Sequence, residues 1–207
     1  CWWSDHLYQE MELKAYGHGG KPVLVFPAQG GRFFEFEDFG MIAAVGDFIE
    51  RGQYTFYTID SIDGQSWANF NAHPADRARR HEDYDHYVQL EVVPYIRGRH
   101  GEQKILTTGC SMGGYHSANF FFRHPDAYDA VISLSGLFSL RHFIGDYMDE
   151  NVYFNSPLVY LANLSDPWYL GQYRQSQVII CVGQGAWEEE MQSEARQLKG
   201  ILDQKGV

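Results

Sequence analysis

Gly109-Cys110-Ser111-Met112-Gly113-Gly114 is the stretch that decides the fold. The residues just before it, 104–108, read as a strand, and residues 113–123 read as a helix. A serine with a glycine two positions before and two after, between strand and helix, has a steric reason. The serine sits on a turn so sharp that these two neighbours crowd one another, and a Cβ on either would clash. The turn lifts the hydroxyl above the end of the strand. The helix N-terminus behind it favours developing negative charge. Roughly 0.1 chance occurrences of the pattern are expected in a chain of this length, and fewer in this context. The competing reading is a glycine turn that merely lets strand and helix pack closely.

Outward from this stretch, strands and helices alternate. Residues 7–16 read as an edge strand closed by Gly17-His18-Gly19-Gly20. Val23-Leu24-Val25-Phe26 is a short apolar run between Pro22 and Gly30, which fits a strand buried on both faces. Met41, Ile42, Val45, Phe48 and Ile49 recur at helical spacing up to Gly52. Residues 54–59 read as a strand, and residues 74–99 as a long charged helix that Pro94 should kink. Residues 130–134 and 177–182 read as buried strands, and residues 188–204 as a closing helix. Strand–helix alternation predicts a mostly parallel sheet with helices on both sides. Ligands bind such sheets at the carboxyl ends of the strands.

The chain has 207 residues, which suits one domain spanning 1–207. Lys and Arg number 16, Asp and Glu 27, for a formal charge of −11. Phosphates and anionic lipids repel such a chain, so nucleic acid and membrane surfaces are poor partners. No apolar run is long enough to span a bilayer, and no signal peptide is visible. Cys1, Cys110 and Cys181 are too few for a disulfide framework, which points to a reducing, cytoplasmic setting. Cys110 and Cys181 are expected reduced, core-facing and unbonded to each other. No Cys or His spacing suits zinc, and the His73-to-His86 cluster reads as a solvated helix face.

On these pieces the chain resembles the α/β-hydrolase superfamily, and within it the putative-esterase group of esterase D-like and feruloyl-esterase-like enzymes. Residues 23–31, 60–67, 108–115, 130–136 and 177–187 match in order; only the 109–113 motif is highly specific. The resemblance implies a three-layer α/β-hydrolase fold, a serine–acid–histidine triad, an oxyanion hole and no cofactor.

Carried over residue by residue, Ser111 is the nucleophile. The Met112 N–H is the first oxyanion donor, because it immediately follows the nucleophile. The second should come from the loop Pro27-Ala28-Gln29-Gly30-Gly31, which lacks the family's His; Gln29 is the choice, Gly30 the fallback. The acid follows the strand at 177–182, where Gly183-Gln184-Gly185-Ala186-Trp187-Glu188-Glu189-Glu190 stands. Glu188 is nearest the strand end and Glu189 is the fallback; the competing reading is that glutamates favour a helix N-terminus anyway. Trp67 and Tyr115 are candidate substrate-binding residues, against plain packing. The base is the weak point, since none of the nine histidines follows Glu188. The expectation is that it lies beyond Val207, together with a C-terminal strand and helix of the fold. His116 and His142 are out of order and are not promoted.

The reading is a serine ester hydrolase acting on a short acyl, acetyl or aryl ester, with no metal and no cofactor. The rivals are a non-catalytic binding module on the same fold and an acyltransferase. A homo-oligomer is left open.

Overall fold

The computed structural model describes residues 1–186 and 188–207; Trp187, the end of the last matching segment, lies outside them. Among the described residues eight strands form two sheets. β1 (Trp2–Ser4) and β2 (Gln9–Met11) pair antiparallel as a small ribbon. The other six are β3 (Leu13–Tyr16), β4 (Lys21–Phe26), β5 (Tyr54–Ile59), β6 (Ile105–Cys110), β7 (Tyr128–Leu134) and β8 (Gln177–Cys181). Their order is β3-β5-β4-β6-β7-β8. Only β3 runs antiparallel to its neighbour; β5, β4, β6, β7 and β8 are parallel.

Alternation along β4 explains the layers. Leu24 and Phe26 point into the larger core, where Tyr57, Ile105, Val131 and the aromatic run Phe120-Phe121-Phe122 pack. Val23 and Val25 point to the opposite face and meet Phe56, Ile42, Val45 and Ile49. Ile42 and Ile49 come from two short helices, Met41–Ala44 and Gly46–Glu50, rather than one long one, and Val45 stands between them.

The long helix is also broken. It runs Pro74–Tyr87, widens to a π-helical turn at Val88–Val92, and resumes as Val93–His100. Pro94 has no N–H to give to the preceding turn, and the wider turn absorbs that loss. This helix is not a solvated face around its histidines. His81, Tyr84, Asp85 and Tyr87 are buried, and only the other side, with His86, meets water.

β8 differs from the strand expected to be buried on both faces. Its residues alternate between exposed and half-buried, and Ile179 is 49% exposed. The helix Glu189–Lys205 covers the Val178 and Ile180 side through Leu198 and Leu202. Among the described residues β8 is the sheet's edge.

Cys110 and Cys181 are free, as expected, but exposed rather than core-facing; Cys1 is also free and exposed. Cys110 and Cys181 are the last residues of β6 and β8, where the strands run out into solvent. No described helix is long and apolar enough to cross a membrane.

Candidate active site

The parallel strands end together, and the loops that leave them meet on one edge of the sheet. Phe26 is in register with Gly109, so the β4 loop lies beside the β6 corner. Cys110 is in register with Leu134, and Leu134 with Cys181.

Ser111 stands between β6 and the helix Met112–Arg123 with φ 56° and ψ −117°. Positive φ costs a non-glycine residue about 1–3 kcal/mol and persists only where the surroundings impose it. Here the close packing that Gly109 and Gly113 allow holds it. A Cβ on Gly109 would lie 2.5 Å from Gly113 backbone atoms and 2.6 Å from the Phe26 carbonyl oxygen. A Cβ on Gly113 would lie 2.2 Å from the same oxygen. The steric reading of the sequence therefore holds at both positions. Ser111 also donates its backbone N–H to the Leu134 carbonyl at 2.9 Å, which ties the corner to β7. The Ser111 side chain does not cap the helix, so its hydroxyl is not spent there.

Glu188 sits at the start of the closing helix, but its carboxylate turns back to the strand ends. It accepts from the Ser135 hydroxyl, from the Gly183 N–H at 3.1 Å and from the Gly185 N–H at 2.8 Å. Ser135, the residue after β7, is itself at φ 45° and donates its N–H to the Cys181 carbonyl at 2.7 Å. The Ser135 bond, then the Gly185 N–H, hold the Glu188 carboxyl below its ordinary pKa of 4.5. Oε1 takes two of the donors and Oε2 one, which leaves Oε2 room for another. Glu189 is exposed in the first helical turn and makes none of these contacts.

The β4 loop has two of its N–H groups held. The Ala28 N–H is held by Glu35, and the Gly31 N–H by the Ala28 carbonyl. Gln29 and Gly30 are exposed, and among the described residues their N–H groups carry no hydrogen bond. The loop is held from its far end by Asp60, which accepts from Arg32 Nε at 2.7 Å and the Phe33 N–H at 3.0 Å. Glu35 and Asp60 were not read from the sequence. A carboxylate four residues after a Gly-Gly pair is the only signal for the first, and it is a weak one.

Trp67 and Tyr115 are core residues. Trp67 is fully buried and packs with Met112, Leu140 and Phe143. Tyr115 is 1% exposed and gives its hydroxyl to the Asn155 carbonyl at 2.9 Å. Tyr115 is the fourth residue of its helix and points inward past the corner, so neither ring is available to line an open site.

The histidine contacts lie elsewhere. His116 Nε2 meets Asp63 Oδ1 at 2.8 Å, His124 meets Asp85, His6 meets Glu91, and His100 meets the Tyr57 hydroxyl. His142 is exposed and packs edge-on against Phe143. Among the described residues no side chain is hydrogen-bonded to the Ser111 hydroxyl, and none of the histidine bonds reaches it. No group of three or more metal-ligating side chains occurs among the described residues.

A parallel sheet flanked by helices, with a tight strand–turn–helix corner at its carboxyl edge, defines this molecule as an α/β-hydrolase fold. Residues 29–204 match the family model described as Putative esterase, and the chain belongs to that family of hydrolases. Solved structures agree on the fold. A ferulic acid esterase superposes with TM-score 0.74 at 17% identity, covering 100% of this chain and 84% of that one. The apoenzyme of the S-formylglutathione hydrolase FrmB from Staphylococcus aureus gives 0.68 at 14%, covering 100% and 85%. An S-formylglutathione hydrolase from Agrobacterium tumefaciens gives 0.63 at 12%, covering 98% and 91%. A search of curated protein sequences finds no match.

Proposed function

We propose that the protein is a serine carboxylic-ester hydrolase that works through an acyl-enzyme on small-molecule esters. The observation that carries this reading is Ser111 at φ 56°, on the corner that Gly109 and Gly113 allow. That corner is a nucleophile elbow in this reading. The strained turn offers the hydroxyl at the strand ends, with the first-turn N–H groups of a helix behind it.

In the reaction the Ser111 oxygen bonds to the ester carbonyl carbon as an imidazole base takes its proton. Negative charge moves to the carbonyl oxygen, where the Met112 and Gln29 N–H groups receive it. The intermediate collapses, the alcohol leaves with the proton from the imidazolium, and an acyl-serine remains. Water repeats the sequence, releases the carboxylic acid and restores the serine. Glu188 orients the imidazole and stabilises its charged form through the free side of Oε2. None of the nine histidines of this sequence forms that contact, so the reading calls for a base other than these. Short acyl and aryl esters are the proposed substrates. Neither nucleic acid nor membrane is a proposed partner, given the charge of −11.

The test is turnover of p-nitrophenyl acetate by the full-length protein, with Ser111→Ala as control. Turnover that Ser111→Ala abolishes supports the reading; turnover that survives it removes Ser111 from the chemistry. A non-catalytic module is favoured by one observation, the Ser111 hydroxyl without a hydrogen-bonded base. Absence of turnover with intact folding, and no reaction of Ser111 with a fluorophosphonate, would establish that alternative.

A further inference from the structure

The loop Pro27-Ala28-Gln29-Gly30-Gly31 is short, glycine-rich and exposed at its tip. Such a loop needs something to hold it if its N–H groups are to keep a fixed aim, since preorganised donors give the electrostatic benefit and mobile ones do not. One side chain does this from below. Glu35 Oε2 accepts the Ala28 N–H at 2.7 Å. Gly31 rests on the same carboxylate so closely that an added Cβ would stand 2.4 Å from Oε1. Within the loop the Gly31 N–H returns to the Ala28 carbonyl at 2.9 Å, closing a turn with Gly30 at φ 73°.

Glu35 is placed for this by its own short helix, Glu35–Asp38, whose first residue it is. Its N–H bonds to the Arg32 carbonyl at 2.9 Å, so backbone and side chain brace both ends of the turn. The carboxylate also lies near the corner: after burial, its charge is the next influence that pushes the neighbouring Cys110 thiol up.

We propose that Glu35 is a positioning residue for the oxyanion loop: by accepting the Ala28 N–H and seating Gly31, it leaves the Gln29 and Gly30 N–H groups free and fixed in place. The proposal rests on the ester-hydrolase reading for its catalytic part. A negative charge beside an oxyanion site opposes the charge that develops there, so the part Glu35 plays is that of an acceptor and not of a charge. Glutamine keeps a carbonyl oxygen at the same reach and removes the charge. Alanine removes both.

The experiment compares wild type, Glu35→Gln and Glu35→Ala by two readouts. The first is hydrogen exchange of the Ala28 amide, which needs no activity. It should quicken in Glu35→Ala and stay near wild type in Glu35→Gln. The second is p-nitrophenyl acetate kinetics with inhibition by an arylboronic acid, which forms a tetrahedral adduct on the serine. Loss of a single oxyanion donor costs about 10²–10³ in kcat; misaiming one should cost about tenfold to a hundredfold. Glu35→Ala should lose this in kcat, with KM within about twofold, and lose a similar factor in boronate affinity. Glu35→Gln should restore most of both. Unchanged Ala28 exchange in Glu35→Ala overturns the proposal, as does a Glu35→Gln variant that folds yet loses as much as Glu35→Ala. Wild type without turnover or boronate binding overturns the ester-hydrolase reading and the catalytic part of the proposal with it; the exchange data still decide whether Glu35 holds the loop.

Discussion

Gly113 lies beneath the carbonyl oxygen of Phe26, with room for a hydrogen but not for a methyl group: a Cβ there would stand 2.2 Å from that oxygen and 2.6 Å from the Pro27 oxygen. Both are backbone atoms of the strand and loop that border the site, so neither can swing aside. Gly113→Ala should lower stability by about 1–3 kcal/mol, the range for overpacking, and reduce any Ser111 reactivity as the corner opens. Urea denaturation and fluorophosphonate labelling check both. Gly64→Ala, where nothing lies within 4 Å, is the control and should change stability by no more than about 0.5 kcal/mol.

Ser135 and Glu188 form a second test. Removing the hydroxyl in Ser135→Ala leaves Glu188 with its two loop N–H donors. We expect kcat to fall about tenfold, equivalent to about 1.4 kcal/mol. Glu188→Gln should lose about 10²–10⁴, as an imidazolium without its carboxylate is both misoriented and unstabilised. The pH dependence has a definite sign. Glu188 is held below its ordinary value of 4.5, so its contribution to stability is complete above that pH and is lost as pH falls below it. An acid limb of kcat/KM nearer neutrality would then belong to the imidazole. A limb that moves up in Ser135→Ala while staying below 4.5 in wild type would assign it to Glu188 instead.

His81 is expected to give the fold a second pH dependence. It is fully buried, stacks on His116 with centroids 5.3 Å apart, lies tilted against Trp67 at 5.0 Å, and among the described residues neither ring nitrogen has a partner. Burial, then the charge of His116, push it well below 6.5. The unfolded chain therefore takes up a proton here before the folded one does. Stability should fall as pH drops below 6.5, by up to about 1.4 kcal/mol per unit from this residue. Denaturation midpoints from pH 7.5 to 5 should be flatter in His81→Phe than in wild type. Parallel curves would show that His81 is not the source.

Arg123 holds a buried acidic cluster. It donates to Glu82 at 2.9 and 3.0 Å, to Asn155 at 2.6 Å, and lies 3.3 Å from Asp85. Burial works against its charge, but Asp85 and Glu82 outweigh it and raise its pKa. Arg123→Met should cost up to about 3–5 kcal/mol, because it leaves Asp85 with His124 alone and Glu82 with the Asn155 amide alone. Adding Glu82→Gln and Asp85→Asn to the same chain should recover part of the loss, read by urea denaturation.

Legibility in the sequence followed range. Ser111, Gly109 and Gly113 were readable because the steric demand lies within five consecutive residues. Strands β4 and β5 were readable because both faces are covered, so apolar and β-branched residues run on without a break. β8 carries the same kind of residues, Val178-Ile179-Ile180, yet Ile179 is half exposed; the pattern records what a strand can bury, not what covers it. Trp67 and Tyr115 were misplaced for a related reason. Both belong to segments that leave the site edge, but their side chains turn into the core, and chain position does not tell which way a ring points. Glu35 was not legible because its partner is a backbone N–H, which leaves no mark in a sequence, and Asp60 because its partners, Arg32 and the Phe33 N–H, lie nearly thirty residues away.

The central strand sets a timetable. Val23 of β4 pairs with Phe56 on one side and with Leu106 on the other. At about 5–20 residues per second of synthesis, roughly 4–17 s separate the appearance of Val23 from that of Leu106. Through that interval one edge of the strand has no neighbour, and the apolar side chains of residues 22–26 await a surface that has not yet been made. The loop after β4 and the serine corner, which touch in the finished molecule, are born apart. A nascent chain is therefore expected to expose this strand edge until Leu106 emerges, and to cover it once β6 has closed the gap.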